Sequence, residues 1–471
     1  MKKTTGFPKQ LKIFVITLVL VLVIGVVVML AQSKALKNGE NPQAGMSAGG
    51  VNNQEGVQVV VAAPTEQTDT LVAEVTATPE AVELIPATEV VPTDAETLAA
   101  EEATPAETET GAEDGAETET GTASVKPEEI PGAVALGSGI SAEHIYTVDT
   151  AQEGKVTFAF TGDILFDPGY AIYAKYRQNG YNLEACVSPD LLERMRGADV
   201  CIVNNEFPYS KGGAPCEGKT YTFRADPASV DILKNMGVDI AGVANNHAFD
   251  YGLQAFEDTL TTLAEANIPY AGGGWNLEEA KTPIYLQAAG MKIAIVCATQ
   301  IERYNNPHSR AATESQAGLL RSFPDINMTL DAIRTAEANS DFVILLIHWG
   351  TELQVEPDWA QNEQLPKFLE AGADAIIGAH PHILQQVAYK NGVPVVYSMG
   401  NFWFNSKTLD TCLIELTLAN GAVESLKFVP CLQSNSTVKL LHDGEADRVL
   451  EYMRSISPTV NIDGEGYITA R

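Results

Sequence analysis

Four of the chain's seven histidines stand in short polar islands, each of which closes an apolar run. In order the islands are Thr161-Gly162-Asp163, Asn204-Asn205-Glu206, Asn245-Asn246-His247 with Asp250, His348-Trp349-Gly350 with Glu352, Gly378-Ala379-His380-Pro381-His382, and Gly400-Asn401-Phe402. Carboxylate, amide and imidazole donors suit one or two divalent ions of the Mn, Fe or Zn kind better than thiolate-seeking ions. Imidazole also titrates near neutral pH and can move a proton. Metal-assisted cleavage or transfer is the chemistry such residues could perform together.

Taken singly, each island has a plainer explanation. Gly162-Asp163 and Gly400-Asn401 would be turns, Asn245 a helix cap and His348 a structural ring. His380 and His382 are two residues apart about Pro381, and an extended segment would put both rings on one side, the geometry of a shared metal site. What outweighs the plainer explanations is the recurrence of the islands, in order, where strands end.

The elements that must position them are legible in the apolar spacing. Strands are expected at Val156 to Phe160, Val200 to Val203, Ile240 to Ala244, Lys292 to Cys297, Phe342 to Ile347, Ala375 to Ile377 and Val393 to Ser398. Between them, Ser188 to Arg196, Ala228 to Met236, Leu253 to Ala266, Thr329 to Asn339 and Trp359 to Ala371 repeat near 3.6 residues and read as helices. This alternation predicts an α/β domain, large enough for two packed sheets, with its ligand crevice at the carboxyl ends of the strands. Cys412 to Leu418 and Val423 to Pro430 flank Asn420-Gly421, a strong hairpin signal. A last helix is expected over Glu445 to Ile456.

Upstream of the domain the composition changes twice. Lys2, Lys3, Lys9 and Lys12 precede Ile13 to Ala31, 19 residues without charge. That length suits one transmembrane helix, and the lysines place the amino terminus in the cytoplasm. The expectation is an uncleaved signal anchor in the cell membrane with everything after it outside; the alternative is a removed signal peptide. The next stretch is rich in Glu, Thr, Ala and Pro, too poor in apolar residues to offset ordering entropy, and reads as a disordered acidic linker. The domain boundaries are then 1–37 for the tip and anchor, 38–150 for the linker, 151–440 for the folded domain and 441–471 for a C-terminal extension. With a net charge of −31 the chain lacks the basic surface that nucleic acid binding needs. The six cysteines show no paired metal spacing, although an exported Cys186–Cys216 disulfide is conceivable.

The six islands together resemble the CapA-type poly-γ-glutamate capsule synthesis family, as does Ala271 to Ala280, read Ala-Gly-Gly-Gly-Trp-Asn-Leu-Glu-Glu-Ala. The resemblance spans about Lys155 to Phe404. It implies a fold similar to calcineurin-like metallophosphoesterases, a four-layer sandwich of two packed mixed sheets flanked by helices. Carried over residue by residue, it implies that Asp163 and His382 bind one metal, that Asn246, His348 and His380 bind another, and that Glu206 bridges them. His247, held by Asp250, would protonate a leaving group. Asn205, Trp349, Glu352 and Asn401 are the substrate-binding candidates. One departure stands out: the superfamily has a His two residues after the first Asp, and Leu165 stands there. The implied partners are an anionic envelope polymer such as poly-γ-glutamate and capsule synthase subunits. Two readings stay open, a metal-dependent hydrolase or transferase and a non-catalytic assembly or export factor that grips the polymer.

Overall fold

Neighbouring residues along the central strands point into different cores, and that alternation dictates the layers. The computed structural model describes residues 130–301 and 310–471. In the strand Lys155–Ile164, Val156, Phe158 and Phe160 enter one core while Ala159 and Ile164 enter a second. In Met291–Thr299, Ile293, Ile295 and Cys297 join the core of Phe158, while Ala294, Val296 and Ala298 enter a third. Phe342–His348 repeats this division. Strands buried on both faces need cover on both, so the result is a pair of sheets packed face to face with helices outside each.

Both sheets are mixed and eight-stranded. At the centre of the first, Lys155–Ile164 runs parallel to Val200–Asn205 and antiparallel to Leu409–Ala419. Ile240–Gly242 continues the parallel run beyond Val200–Asn205. In the second sheet Phe342–His348 lies between Met291–Thr299 and Ala375–Ala379, parallel to both. The helices Ala171–Gln178, Pro189–Gly197, Val230–Met236 and Gly252–Glu265 bury apolar residues in the core outside the first sheet. Asn327–Glu337 and Trp359–Glu370 do so outside the second. Asp358 begins the latter helix with a capping box, its carboxylate accepting from the Ala360 and Gln361 amides.

The hairpin expected about Asn420-Gly421 joins Leu409–Ala419 to Ala422–Ser434, and both turn residues have positive φ, 53° and 73°. Such a turn matches the twist of its strands. Folded structure reaches further back than composition suggests. Val134–Ala135 and Ile145–Val148 extend the second sheet, with Tyr146 buried, inside the stretch 38–150 expected to be linker. The segment 441–471 is likewise no appendage: Val449, Leu450 and Met453 of the helix Asp443–Ile456 fill the core between the sheets. All six cysteines are free thiols, so the Cys186–Cys216 pairing is not formed.

Every described residue belongs to one compact unit. The expected span Ile13 to Ala31 and most of the acidic stretch lie outside the described residues. Among the described residues no helix is long and apolar enough to cross a membrane.

Candidate metal centre

Two glycines let the strand ends converge. A Cβ on Gly162 would collide with the Gly400 carbonyl, so only glycine allows the Asn401–Trp403 strand to lie in register beside Asp163. A Cβ on Gly378 would strike the Tyr397 carbonyl and the Trp349 indole, which would push Ala375–Ala379 away from its neighbours. These close approaches bring the ends of both sheets to one edge.

There the six expected ligands meet, although they come from positions up to 219 residues apart. Glu206, His348 and His380 form one group whose ligand atoms lie within 4.8 Å of one another, and Asp163, Glu206 and His382 form a second. Asn246 Oδ1 is 2.8 Å from His348 Nε2, and His380 Nδ1 is 3.0 Å from the same nitrogen. On the other side His382 Nδ1 is 3.0 Å from Asp163 Oδ2. The extended segment expected about His380 and His382 is not formed. Their φ angles are 100° and 60°, and the left-handed turn sends the two rings to different groups.

Glu206 is common to both groups. It is fully buried, and among the described residues neither carboxylate oxygen has a hydrogen-bond partner. Its nearest cationic candidates are ring nitrogens of His348 at 3.5 Å and His247 at 3.9 Å. Burial, reinforced by the Asp163 charge, pushes its pKa well above the ordinary carboxylate range. Burial and the neighbouring rings His380, His382 and His247 push the His348 imidazole well below its usual value. His382 moves the other way: burial opposes its charge, but the Asp163 carboxylate more than offsets that and raises it. Much of this desolvation comes from an apolar floor, since Phe160, Ile202, Leu346, Ile377 and Met399 line a small cavity that also touches Asn204 and His348. A carboxylate left unpaired in such a place costs several kcal/mol unless a cation joins it. A buried carboxylate ringed by imidazole nitrogens, with amide oxygens beside them, therefore fits a divalent ion, and the described residues offer a candidate buried His/Glu/Asp metal site.

His247 sits at the side of this cluster. Its Nδ1 is 2.6 Å from Asp250 Oδ2, and burial drives its pKa down to about 4. A neutral ring with so short a contact to a carboxylate carries its proton on Nδ1, which leaves Nε2 free to accept. Asp250 is fixed in turn by the Phe223 amide, 2.7 Å from its Oδ2, and by the Lys219 ammonium. Lys219 also donates to the Asn246 carbonyl at 2.7 Å. Phe223 stacks on the His247 ring with centroids 4.1 Å apart, and Phe404 lies 5.0 Å from the His382 ring.

Other expected residues are placed differently. Trp349 is buried in the outer core, stacked on Tyr397 and donating its indole N–H to the Tyr397 carbonyl. It cannot contact a substrate. Asn205 is also buried and donates to the Phe207 carbonyl, while its neighbour Asn204 faces the cluster, donating to Asp163 Oδ1 at 2.7 Å. Glu352 is exposed on the loop after His348, close enough to raise the pKa of Glu206 and His382. Asn401 is buried against His382 rather than open to solvent. Leu165 lies in the apolar core outside the first sheet. The sequence reading missed Lys219 and Phe223. They belong to the irregular stretch between Pro208 and Asp226, where no periodicity singles them out, although Lys219 stands alone among small and polar residues.

An edge of two packed sheets that gathers carboxylate, amide and imidazole donors about one unpaired carboxylate defines an α/β protein with a candidate metal centre. More narrowly, the chain belongs to the bacterial capsule synthesis protein PGA_cap family, whose profile matches residues 157–406 and so includes all of these donors. It is similar to the PGA biosynthesis protein CapA of Bacillus subtilis (strain 168), 30% identical over 289 residues that cover 60% of this chain and 73% of that protein. The capsule biosynthesis protein CapA of Bacillus anthracis is 29% identical over 300 residues, covering 61% of this chain and 70% of its own. Among solved structures, TT1561 of Thermus thermophilus aligns with a TM-score of 0.32 and 10% identity over 56% of this chain and 98% of its own, too low to bear on the fold.

Proposed function

We propose that this chain works in poly-γ-glutamate capsule synthesis as a membrane-anchored, extracellular, metal-dependent hydrolase or transferase acting on the anionic polymer. The observation that carries the reading is the buried Glu206 carboxylate, without a hydrogen-bond partner among the described residues, between two groups of metal donors. The similarity to CapA proteins named for PGA and capsule biosynthesis supports the pathway. The four N-terminal lysines and the uncharged stretch Ile13 to Ala31 support the anchor.

Asp163 and His382 would hold one ion, Asn246, His348 and His380 the other, with Glu206 between them. When bound, a divalent ion of the Mn, Fe or Zn kind supplies Lewis acidity and is one source of the local positive charge that a polyanion needs. The remaining work belongs to the chain. His247 Nε2, facing the cluster, accepts the proton of the attacking group and returns it to the leaving atom, which is how the ring comes to act as an acid. Asp250 stabilises the imidazolium between those two transfers, and Lys219 and the Phe223 amide keep Asp250 in place. The bond broken is either the γ-amide of the polymer or a phosphoester, the latter in line with the resemblance to calcineurin-like metallophosphoesterases.

A second reading is favoured by one observation. Leu165 offers no ligand where that superfamily has a His, and a non-catalytic factor that grips the polymer for capsule synthase subunits would tolerate this. His247 separates the two. Full-length protein in detergent should carry divalent metal by elemental analysis and should cleave or transfer poly-γ-glutamate or a simple phosphoester. His247→Ala should keep the metal and lower turnover by about 100-fold or more, the scale of proton-transfer catalysis. Wild-type turnover by that variant would remove the enzyme reading, and unchanged metal in His380→Ala would remove the metal assignment.

A further inference from the structure

We propose that Asn401 is a metal ligand, the fourth donor of the Asp163, Glu206 and His382 group. The inference deepens the metal-dependent reading above and rests on it.

Asn401 Oδ1 is 2.8 Å from His382 Nδ1, the same nitrogen that lies 3.0 Å from Asp163 Oδ2. A ring nitrogen carries one proton or one lone pair, so it can satisfy one of these oxygens fully and not both. Three donor atoms drawn this close are instead what a shared cation explains. Divalent ions with bonds of about 2.1 Å keep neighbouring donor atoms roughly 3.0 to 3.4 Å apart, octahedral to tetrahedral. The other group shows the same figure. His348 Nε2 has the Asn246 amide oxygen at 2.8 Å, His380 Nδ1 at 3.0 Å and Glu206 Oε1 at 3.5 Å. Each half of the centre thus presents an amide oxygen 2.8 Å from an imidazole nitrogen, and Glu206 serves both.

The backbone is built to deliver that oxygen. Asn401 pairs in register with Asp163, and the Asp163 amide donates to the Gly400 carbonyl at 3.1 Å. This approach exists only because Gly162 has no Cβ. Asn401 is 2% exposed, too buried for a residue waiting on bulk substrate. Leu165, two residues beyond Asp163, is committed to the apolar core and offers no donor of its own.

The test uses full-length protein in detergent, stripped with chelator and titrated with Mn²⁺ by calorimetry, with elemental analysis after desalting. The wild type should take two ions. Asn401→Ala should take one tightly, and the weaker step should lose at least about 10-fold in affinity, since even partners one bond removed from a metal are worth that. Asn401→Asp, which keeps an oxygen and adds charge, should restore two ions and tighten the weaker step. If Asn401→Ala fails to unfold cooperatively, the aspartate variant decides: unchanged affinity for the weaker ion overturns the proposal. Two ions at wild-type affinities in a folded Asn401→Ala overturn it as well. So does a single wild-type ion that His380→Ala abolishes and Asn401→Ala retains. No ion in the wild type is a different result, because it removes the metal-dependent reading itself.

Discussion

Three pairs of adjacent residues at the edge of the sheets have opposite fates. Asn204, Asn246 and His348 reach the donor cluster, while Asn205, Asn245 and Trp349 turn into the protein and brace it. Asn245 shows how: its Nδ2 donates to the Asn205 carbonyl and its Oδ1 accepts from the His247 amide. Alternation along the extended strand separates Asn204 from Asn205, whereas at Asn245 the chain is already turning, and Asn246 and His247 both face the cluster. The intervening polar groups are buried too and must find partners within the protein. A residue's closeness to a motif therefore does not make it part of the site.

The largest effect expected from testing this contrast is at Trp349. Trp349→Ala should destabilise the fold by about 3–5 kcal/mol, as removal of large buried side chains does, with the metal content per folded chain unchanged. Denaturant unfolding and elemental analysis of the same sample check both halves, and a loss of metal without loss of stability would place Trp349 on the wrong face. Next comes the pH response of metal-free protein. The folded His247 imidazole refuses its proton down to about pH 4, whereas the unfolded chain accepts one near 6.5. Between those values the unfolded state binds more protons, so the stability due to the neutral ring is complete above about pH 6.5 and falls as the pH drops toward 4, by roughly 3 kcal/mol. Chemical unfolding across this window should show the loss, to which the His348 ring, also held low by burial, adds its own part, so His247→Gln should make the slope smaller without abolishing it; an equal slope in both proteins would reject the assignment. The smallest effects separate the asparagines. Asn205→Ala should cost about 1 kcal/mol of stability and leave metal affinity alone. Asn204→Ala should weaken Mn²⁺ binding by about 10-fold through the loss of its bond to Asp163. Equal behaviour of the two variants would erase the distinction drawn between them.

Much of the frame was legible without coordinates. The strand around Phe158, the strands ending at Asn205 and His348, the helices over 252–265 and 359–370 and the Asn420-Gly421 turn all follow from local period and turn chemistry. Less legible were the short pieces. Ile145–Val148 offers four residues and no amphipathic stripe, and it becomes a strand because Ile284–Ala288 presents an edge to it. The left-handed turn at His380 and His382 was hidden as well, because their spacing suggests an extended segment; only the family resemblance assigned the two rings to different ions.

By itself the sequence determined which donor types this protein owns and that they end buried strands, since periodicity and side-chain chemistry are local properties. Only the tertiary structure decided the company each one keeps. That Asp163 meets His382 and Asn401, that Glu206 lies between two groups, and that Lys219 reaches Asp250 from an irregular loop all depend on the order of strands in two sheets and on approaches permitted at Gly162 and Gly378. Those are contacts between distant segments, and no local spacing encodes them.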